Sequence, residues 1–116
     1  MNYKVDKTDP SYGKVIAITD ISKGDLIGDW ITYMPVSKCC RFLTQRSMGH
    51  NVWWETPDIG RYANHSYTPN TDVVFDSERL TLFANIEIKI GDEIMVNYRE
   101  TERYIGYITN LDFMNN

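Results

Sequence analysis

Hydrophobic and polar residues alternate along this chain in short runs separated by turn residues, rather than in the wide stripes of amphipathic helices. Residues 14–19 and 25–33 are rich in Val, Ile, Trp and Tyr, and Ser22, Lys23 and Gly24 lie between them. That pattern predicts two short strands paired like a hairpin. From Thr71 the chain again reads as strand through Val73, Val74 and Phe75, turns at residues 76–78, and resumes with Leu80, Thr81 and Leu82 toward Ala84. Residues 93–98 predict one more strand. The stretch from 35 to 60 differs: residues 37–48 predict one or two helical turns, followed by an aromatic segment with Trp53 and Trp54. The pattern as a whole predicts a mostly β protein.

One segment occurs twice. Ile21-Ser-Lys-Gly24-Asp25-Leu-Ile27 recurs as Ile88-Lys-Ile-Gly91-Asp92-Glu-Ile94, offset by 67 residues, with four of seven positions identical. Each copy reads as strand, Gly-Asp turn, strand, and glycine accepts the positive φ that a tight turn demands. Two hairpins could share this by convergence; the alternative is a pair of similar small β units packed together.

Composition bounds what such a chain can do. Its 116 residues, 42% of them hydrophobic, predict a single domain over residues 1–116. A chain of this size buries about two-thirds of the surface its unfolded form exposes, so its core does not require disulfides. A net charge of −4 and a pI near 5.0 argue against duplex nucleic acid or an anionic membrane as partner, since both are bound through clustered Lys and Arg. Residues 1–60 carry seven acids and seven bases, whereas residues 61–116 carry nine acids and five bases. All the excess negative charge therefore lies in the second half, which suits a basic partner.

The two cysteines, Cys39 and Cys40, are adjacent, and disulfide geometry is hard to satisfy between neighbours. They read as reduced thiols of an intracellular protein. With His50 and His65 they make four nominal metal ligands, but without the paired spacing that converges on zinc, so no metal site is expected. Residues 1–10 mix Lys4, Asp6, Lys7 and Asp9 and predict neither signal peptide nor anchor. No run is long and apolar enough to span a bilayer. The expected location is intracellular, in the cytoplasm or a host nucleus, with no membrane partner.

The densest chemistry lies in residues 58–70, Asp58-Ile-Gly60-Arg61-Tyr62-Ala63-Asn64-His65-Ser66-Tyr67-Thr68-Pro69-Asn70. Three successive hydrogen-bonding side chains sit on a bend that Pro69 stiffens. Taken alone, Asn64, Ser66 and Asn70 read as turn caps. Asn64-His65-Ser66 also fits a glycosylation acceptor, which the lack of a secretory signal argues against.

The order Arg61-Tyr-x-Asn64-His65-Ser66-x-x-Pro69-Asn70 closely resembles the Arg-Phe-x-Asn-His-Ser-Cys-x-Pro-Asn signature of the SET domain, the catalytic domain of protein lysine methyltransferases. Gly91-Asp92-Glu93-Ile94-Met95-Val96-Asn97-Tyr98 is similar to that family's Gly-Glu-Glu-Leu-x-x-x-Tyr close. Val15-Ile16-Ala17 followed by Ile21-Ser-Lys-Gly24-Asp25-Leu-Ile27 resembles its opening, a Val-Phe-Ala strand leading to Ile-x-x-Gly-x-x-Ile. Three motifs thus fall in the family's order over about residues 11–100. There are departures. The family has Gly-x-Gly before the Val-Phe-Ala strand, but Tyr12-Gly13-Lys14 stands here, so neither glycine is kept; Tyr67 replaces the signature's Cys; no cysteine follows Cys40.

The resemblance implies a SET-domain (β-clip-like) fold of several short β-sheets, with a small helical insert over about residues 35–57 and a pseudoknot-like C-terminal segment. It implies a minimal, virus-like or microbial form without zinc-bearing flanks, in which residues 101–116 serve as a lid. The implied activity is methyl transfer from S-adenosylmethionine to a lysine amine of a basic protein or peptide such as a histone. By resemblance Asn64 and His65 bind the cofactor, with Arg61 and the Tyr12, Gly13 and Lys14 backbone beside its amino-acid end and Tyr104 over its adenine. Tyr98 is the implied catalytic residue, aligning amine and methyl. A lysine amine, with an ordinary pKa near 10.4, must be neutral to attack, and an aromatic channel that disfavours its charge can be drawn from Trp30, Tyr33 and Tyr67. Glu100, where the family often has an aromatic linked to the number of methyls added, leaves that number unassigned.

Two other readings fit the same residues: a SET-like binding module that has lost turnover, and a small β-barrel that stacks single-stranded nucleic acid on Trp and Tyr. The barrel would need clustered basic residues that the strand regions lack. The short chain also leaves a homodimer open as a way to complete a substrate surface.

Overall fold

Period-two alternation sets the architecture of the computed structural model, which describes residues 1–32, 54–76 and 79–105. In chain order the elements are β1 (Tyr3–Asp6), β2 (Lys14–Ala17), β3 (Leu26–Thr32), β4 (Trp54–Glu55), α1 (Ile59–Tyr62), β5 (Asn64–His65), β6 (Thr71–Asp76), β7 (Arg79–Ala84), β8 (Glu93–Val96) and α2 (Tyr98–Ile105). They form two four-stranded sheets, ordered β1-β2-β8-β5 and β4-β3-β7-β6. β2 buries Val15 and Ala17 and β8 buries Ile94 and Val96, every second residue in each case. With Ile21, Ile59, Leu80, Leu82 and Ile88 these form one core between the sheets. Among the described residues no helix is long and apolar enough to cross a membrane.

The mostly β architecture of several short strands matches the sequence expectation, while several details differ. β2 and β3 do not pair as a hairpin. β2 lies between β1 and β8, whereas β3 lies between β4 and β7 in the other sheet. The switch comes at Ile21, which follows β2 and bridges Ile88, exchanging backbone hydrogen bonds of 2.7 and 2.8 Å, so the chain changes sheet before its Gly-Asp turn. The strand expected over residues 93–98 stops at Val96, and Tyr98 opens α2. The strand and turn expected after Thr71 occur as the β6–β7 pair, in register from Thr71 opposite Ala84 to Asp76 opposite Arg79. The helical turns expected at residues 37–48, and Trp53, lie outside the described residues.

The repeated segment forms two units that clasp each other. Gly24 and Gly91 have φ of +92° and +90°, the backbone that favours glycine. Gly24 N donates to Ala84 O at 2.7 Å and Ala84 N to Asp25 O at 2.9 Å; in return Gly91 N donates to Ala17 O at 2.8 Å and Ala17 N to Asp92 O at 2.9 Å. Each turn is closed by its own aspartate, with Ser22 N donating to Asp25 Oδ2 and Lys89 N to Asp92 Oδ2. Each of these bonds in one copy has its counterpart in the other, the arrangement of two similar β units related by an approximate twofold.

β8 is then gripped along its length by the chain that follows α1. β5 runs parallel to it, with Asn64 opposite Met95 and His65 opposite Val96, and Ser66 N donates to Val96 O at 2.8 Å. Further on, the Asn70 side chain acts like one more strand residue, donating to Glu93 O at 2.8 Å and accepting from Met95 N at 3.0 Å. Thr71 Oγ1 donates to Met95 O at 2.8 Å. This knot-like wrapping brings the 61–70 motif against the 91–98 motif.

Candidate active site

Three elements meet at Tyr98. Asn97 follows β8 and caps α2, its Oδ1 accepting from Arg99 N at 2.9 Å, which sets Tyr98 at the first helical turn. The Tyr98 ring is buried, and its hydroxyl donates to Ala63 O at 2.8 Å. Its backbone N–H donates to His65 Nδ1 at 3.0 Å. Buried His65 therefore carries its proton on Nε2 when neutral and serves as a structural brace between β5 and α2. Trp30 of β3, 3% exposed, packs at 5.7 Å from the Tyr98 ring, and His65 at 5.0 Å. The Trp30 indole N–H is buried without a hydrogen-bond partner among the described residues. A dry donor of that kind costs about 1–3 kcal/mol unless something at the site accepts it.

A polar cluster lies beside this aromatic one. Asn64 Nδ2 donates to Gly13 O at 3.0 Å and to Glu93 Oε2 at 2.9 Å, which commits both amide hydrogens. The Tyr12 hydroxyl donates to the same carboxylate, 3.1 and 3.0 Å from its two oxygens. Burial, then the hydrogen bond to Glu93, raises the Tyr12 pKa above the ordinary tyrosine value; the Tyr98 phenol acts in the same direction. Gly13 passes so close to Tyr62 that a Cβ there would lie 2.8 Å from its ring.

The motif leading into Asn64 is held by a short cap. Asp58 Oδ1 accepts from Ile59 N at 2.7 Å to open α1, and Asp58 Oδ2 accepts from the Tyr3 hydroxyl at 2.6 Å. Thr56 Oγ1 donates to Asp29 O and accepts from Gly60 N. Arg61 ends this turn, with its guanidinium and the Lys7 ammonium 5.6 and 5.2 Å from the Tyr62 ring centroid.

Of the residues expected at the site, Tyr12, Gly13, Asn64, His65, Trp30 and Tyr98 are gathered together. Lys14 lies on β2, in register with Asp6, and Arg61 lies on Tyr62. Tyr67 is 63% exposed and stands edge-on to His65 at 4.4 Å. It opens a cleft of about 530 Å³ shared with Asp72, Asn97 and Glu100. Tyr33 lies outside the described residues, as do Cys39, Cys40 and His50; Tyr104 lies on α2, its side chain undescribed. Sequence reasoning missed Glu93 and Asn70 as organisers. Both stand inside the quoted motifs, yet their partners lie 23 to 81 residues away along the chain.

Comparison with known proteins agrees with this geometry. The SET domain family model matches residues 13–99. The chain is a SET-domain protein by both fold and motif, and it belongs to that family. Among solved structures, the crystal structure of a candidate histone methyltransferase from Plasmodium falciparum is similar, with a TM-score of 0.58 and 18% identity over 84% of this chain and 92% of that one. No curated protein matches the chain. The described strands form two open sheets, so the closed nucleic-acid-stacking barrel is not the fold.

Proposed function

We propose that this chain is an S-adenosylmethionine-dependent protein lysine N-methyltransferase acting on a basic protein, histones being the first substrate to test. The observation that carries the reading is the Tyr98 hydroxyl fixed on Ala63 O at 2.8 Å, immediately before Asn64 and His65 in the chain. Two features fit the cofactor. Asn64 Oδ1 receives no hydrogen bond from any described residue while both amide hydrogens are committed, so the side chain presents an acceptor. The second is the bare Gly13 backbone, which lies so close to the Tyr62 ring that a Cβ would meet it at 2.8 Å. Gly13, Asn64 and His65 would hold S-adenosylmethionine, which supplies an electrophilic methyl on a sulfonium sulfur.

The chain's own residues then account for alignment and for the amine. The Tyr98 proton is committed to Ala63, so toward a substrate the phenol oxygen acts as an acceptor that can orient an amine N–H. Holding nucleophile and electrophile in line contributes on the order of 7–11 kcal/mol in well-aligned systems. Trp30, His65 and Tyr98 make a partly dry, aromatic surrounding, which disfavours an ammonium and favours the neutral amine. Asp72 and Glu100 in the cleft beside Tyr67 favour a basic peptide outside it, in the cytoplasm or nucleus where such a protein resides.

The test combines calorimetry of S-adenosylmethionine binding with transfer of labelled methyl to core histones. Wild type binds and labels; Tyr98→Phe binds but loses about a hundredfold in transfer, the scale of a misplaced reacting group. A wild type that binds cofactor yet transfers nothing to any basic protein would instead favour a binding module.

A further inference from the structure

The family resemblance assigns Tyr12 a backbone role and Glu93 none, yet their side chains form the most connected polar group at the site. The Glu93 carboxylate receives the Tyr12 hydroxyl, 3.0 and 3.1 Å from its oxygens, and Asn64 Nδ2 at 2.9 Å. Asn64 Nδ2 also donates to Gly13 O at 3.0 Å. A closed ring results: Tyr12 and Gly13 are covalent neighbours, Gly13 is bound to Asn64, Asn64 to Glu93, and Glu93 back to Tyr12. Two of its four links are charge-assisted hydrogen bonds, about twice as strong as neutral ones.

The ring ties three separate parts of the fold. Glu93 opens β8, Asn64 opens β5, and Tyr12 precedes β2. Tyr12 is 43% exposed, so its phenol contributes little to the core. It stands where the family's motif has a glycine, and its side chain folds onto the carboxylate that orients Asn64.

We propose that Tyr12 and Glu93 form a positioning clamp: together they fix the Asn64 amide with its oxygen outward and hold the Gly13 carbonyl beside it, shaping the amino-acid end of the cofactor site. Without the clamp the amide can rotate, and the Tyr12–Gly13 segment is tied to Asn64 by the Gly13 carbonyl alone. This assignment rests on the proposed cofactor reading for its consequence, though the clamp itself does not.

Two measurements on the full chain decide it. In the first, side-chain amide resonances of Asn64 are followed by 15N–1H correlation spectra in wild type, Tyr12→Phe and Glu93→Gln, without cofactor. Both variants shift the Asn64 amide pair and speed its solvent exchange; an amide pair unchanged in both overturns the clamp, whatever the protein binds. In the second, calorimetry gives S-adenosylmethionine affinity for the two variants and their double mutant. Each single change weakens binding about tenfold, in keeping with a lost hydrogen bond to a charged group, and the double mutant is little weaker than either because all three break one ring. Independent, multiplying losses overturn the coupling. A shifted amide pair in a protein that binds no cofactor leaves the clamp standing and rejects the methyltransferase reading instead. Tyr12→Phe keeps its ring and Glu93→Gln its shape, and unchanged thermal unfolding confirms that neither acts through misfolding.

Discussion

The two Gly-Asp units share a backbone and differ in what each adds to it. In the first, the exposed Gly24 and Asp25 lead into Ile27, Gly28, Trp30 and Ile31, which are buried or half-buried in the core. In the second, Gly91 and Asp92 lead through Glu93 and Ile94 to Asn97 and Tyr98, where the site begins. By the offset of 67, Tyr98 corresponds to Ile31 and Glu93 to Leu26, which is 56% exposed. The difference arises outside the units themselves. Only β8 is wrapped by the 64–71 segment, through β5, Asn70 and Thr71. A structural frame used twice thus carries the Tyr98 hydroxyl once, in the copy whose strand a second motif encloses, while the other copy contributes Trp30 to the aromatic wall beside it.

Each unit also has a phenol–carboxylate pair nearby, and these differ in the same sense. Tyr3, 8% exposed, donates to Asp58 beside Gly28 in the first; Tyr12, 43% exposed, donates to Glu93 in the second. The first is buried and braces the core. The second is open to a ligand.

The largest expected contrast sets Tyr98→Phe against Ile31→Val at the corresponding position. The first loses about a hundredfold in methyl transfer together with about 0.5–1.5 kcal/mol of stability for the lost hydrogen bond to Ala63 O, and the second loses a similar, about 0.5–1.5 kcal/mol of stability with transfer retained. Similar profiles for the two would erase the division of labour. Next, Asn70→Ala removes the partner of both Glu93 O and Met95 N and costs about 1–3 kcal/mol by urea unfolding, together with cofactor affinity; no substitution in the first unit should link those two losses.

Smaller effects test the shared frame. A Cβ at Gly24 or Gly91 meets no atom within 4 Å, so Gly24→Ala and Gly91→Ala each cost about 1–2 kcal/mol through positive φ alone. Equal losses support the twofold, and a markedly unequal pair contradicts it. The smallest effect is alkaline. Burial and then Asp58 raise the Tyr3 pKa, and burial and then Glu93 raise that of Tyr12. A raised native pKa stabilises fully below the unfolded value and is lost above it. Urea midpoints should therefore fall as pH rises past the ordinary tyrosine value of 10.0, and Tyr3→Phe should flatten that fall more than Tyr12→Phe.

Much of this was legible in the residues. Alternation located β2, β3, β6, β7 and β8, and the Asn64-His65 and Tyr98 motifs marked the site. Pairing was not legible, because the Ile21–Ile88 bridge that sends β2 and β3 to different sheets joins residues far apart in the chain. β1 escaped because Tyr3 and Val5 alternate with Lys4 and Asp6 in a segment that reads as a polar terminus. α2 had a signal that was not used: Asn97 followed by Glu100 is a helix-opening pattern, and Asn97 does cap the helix. Glu93 was legible as a member of the Gly91-Asp92-Glu93 motif but not as a partner of Tyr12 and Asn64, since only the folded chain brings them to it.

The central claim is that the enclosed copy of the frame is a lysine-methylating site with Tyr98 at its centre. Mass spectrometry of a lysine-rich protein substrate, after incubation with the chain and S-adenosylmethionine, tests it most directly. The account predicts methyl increments on lysine with wild type and their near absence with Tyr98→Phe. Lysines left unmodified by a folded, cofactor-bound wild type, or equally modified by both proteins, would contradict it.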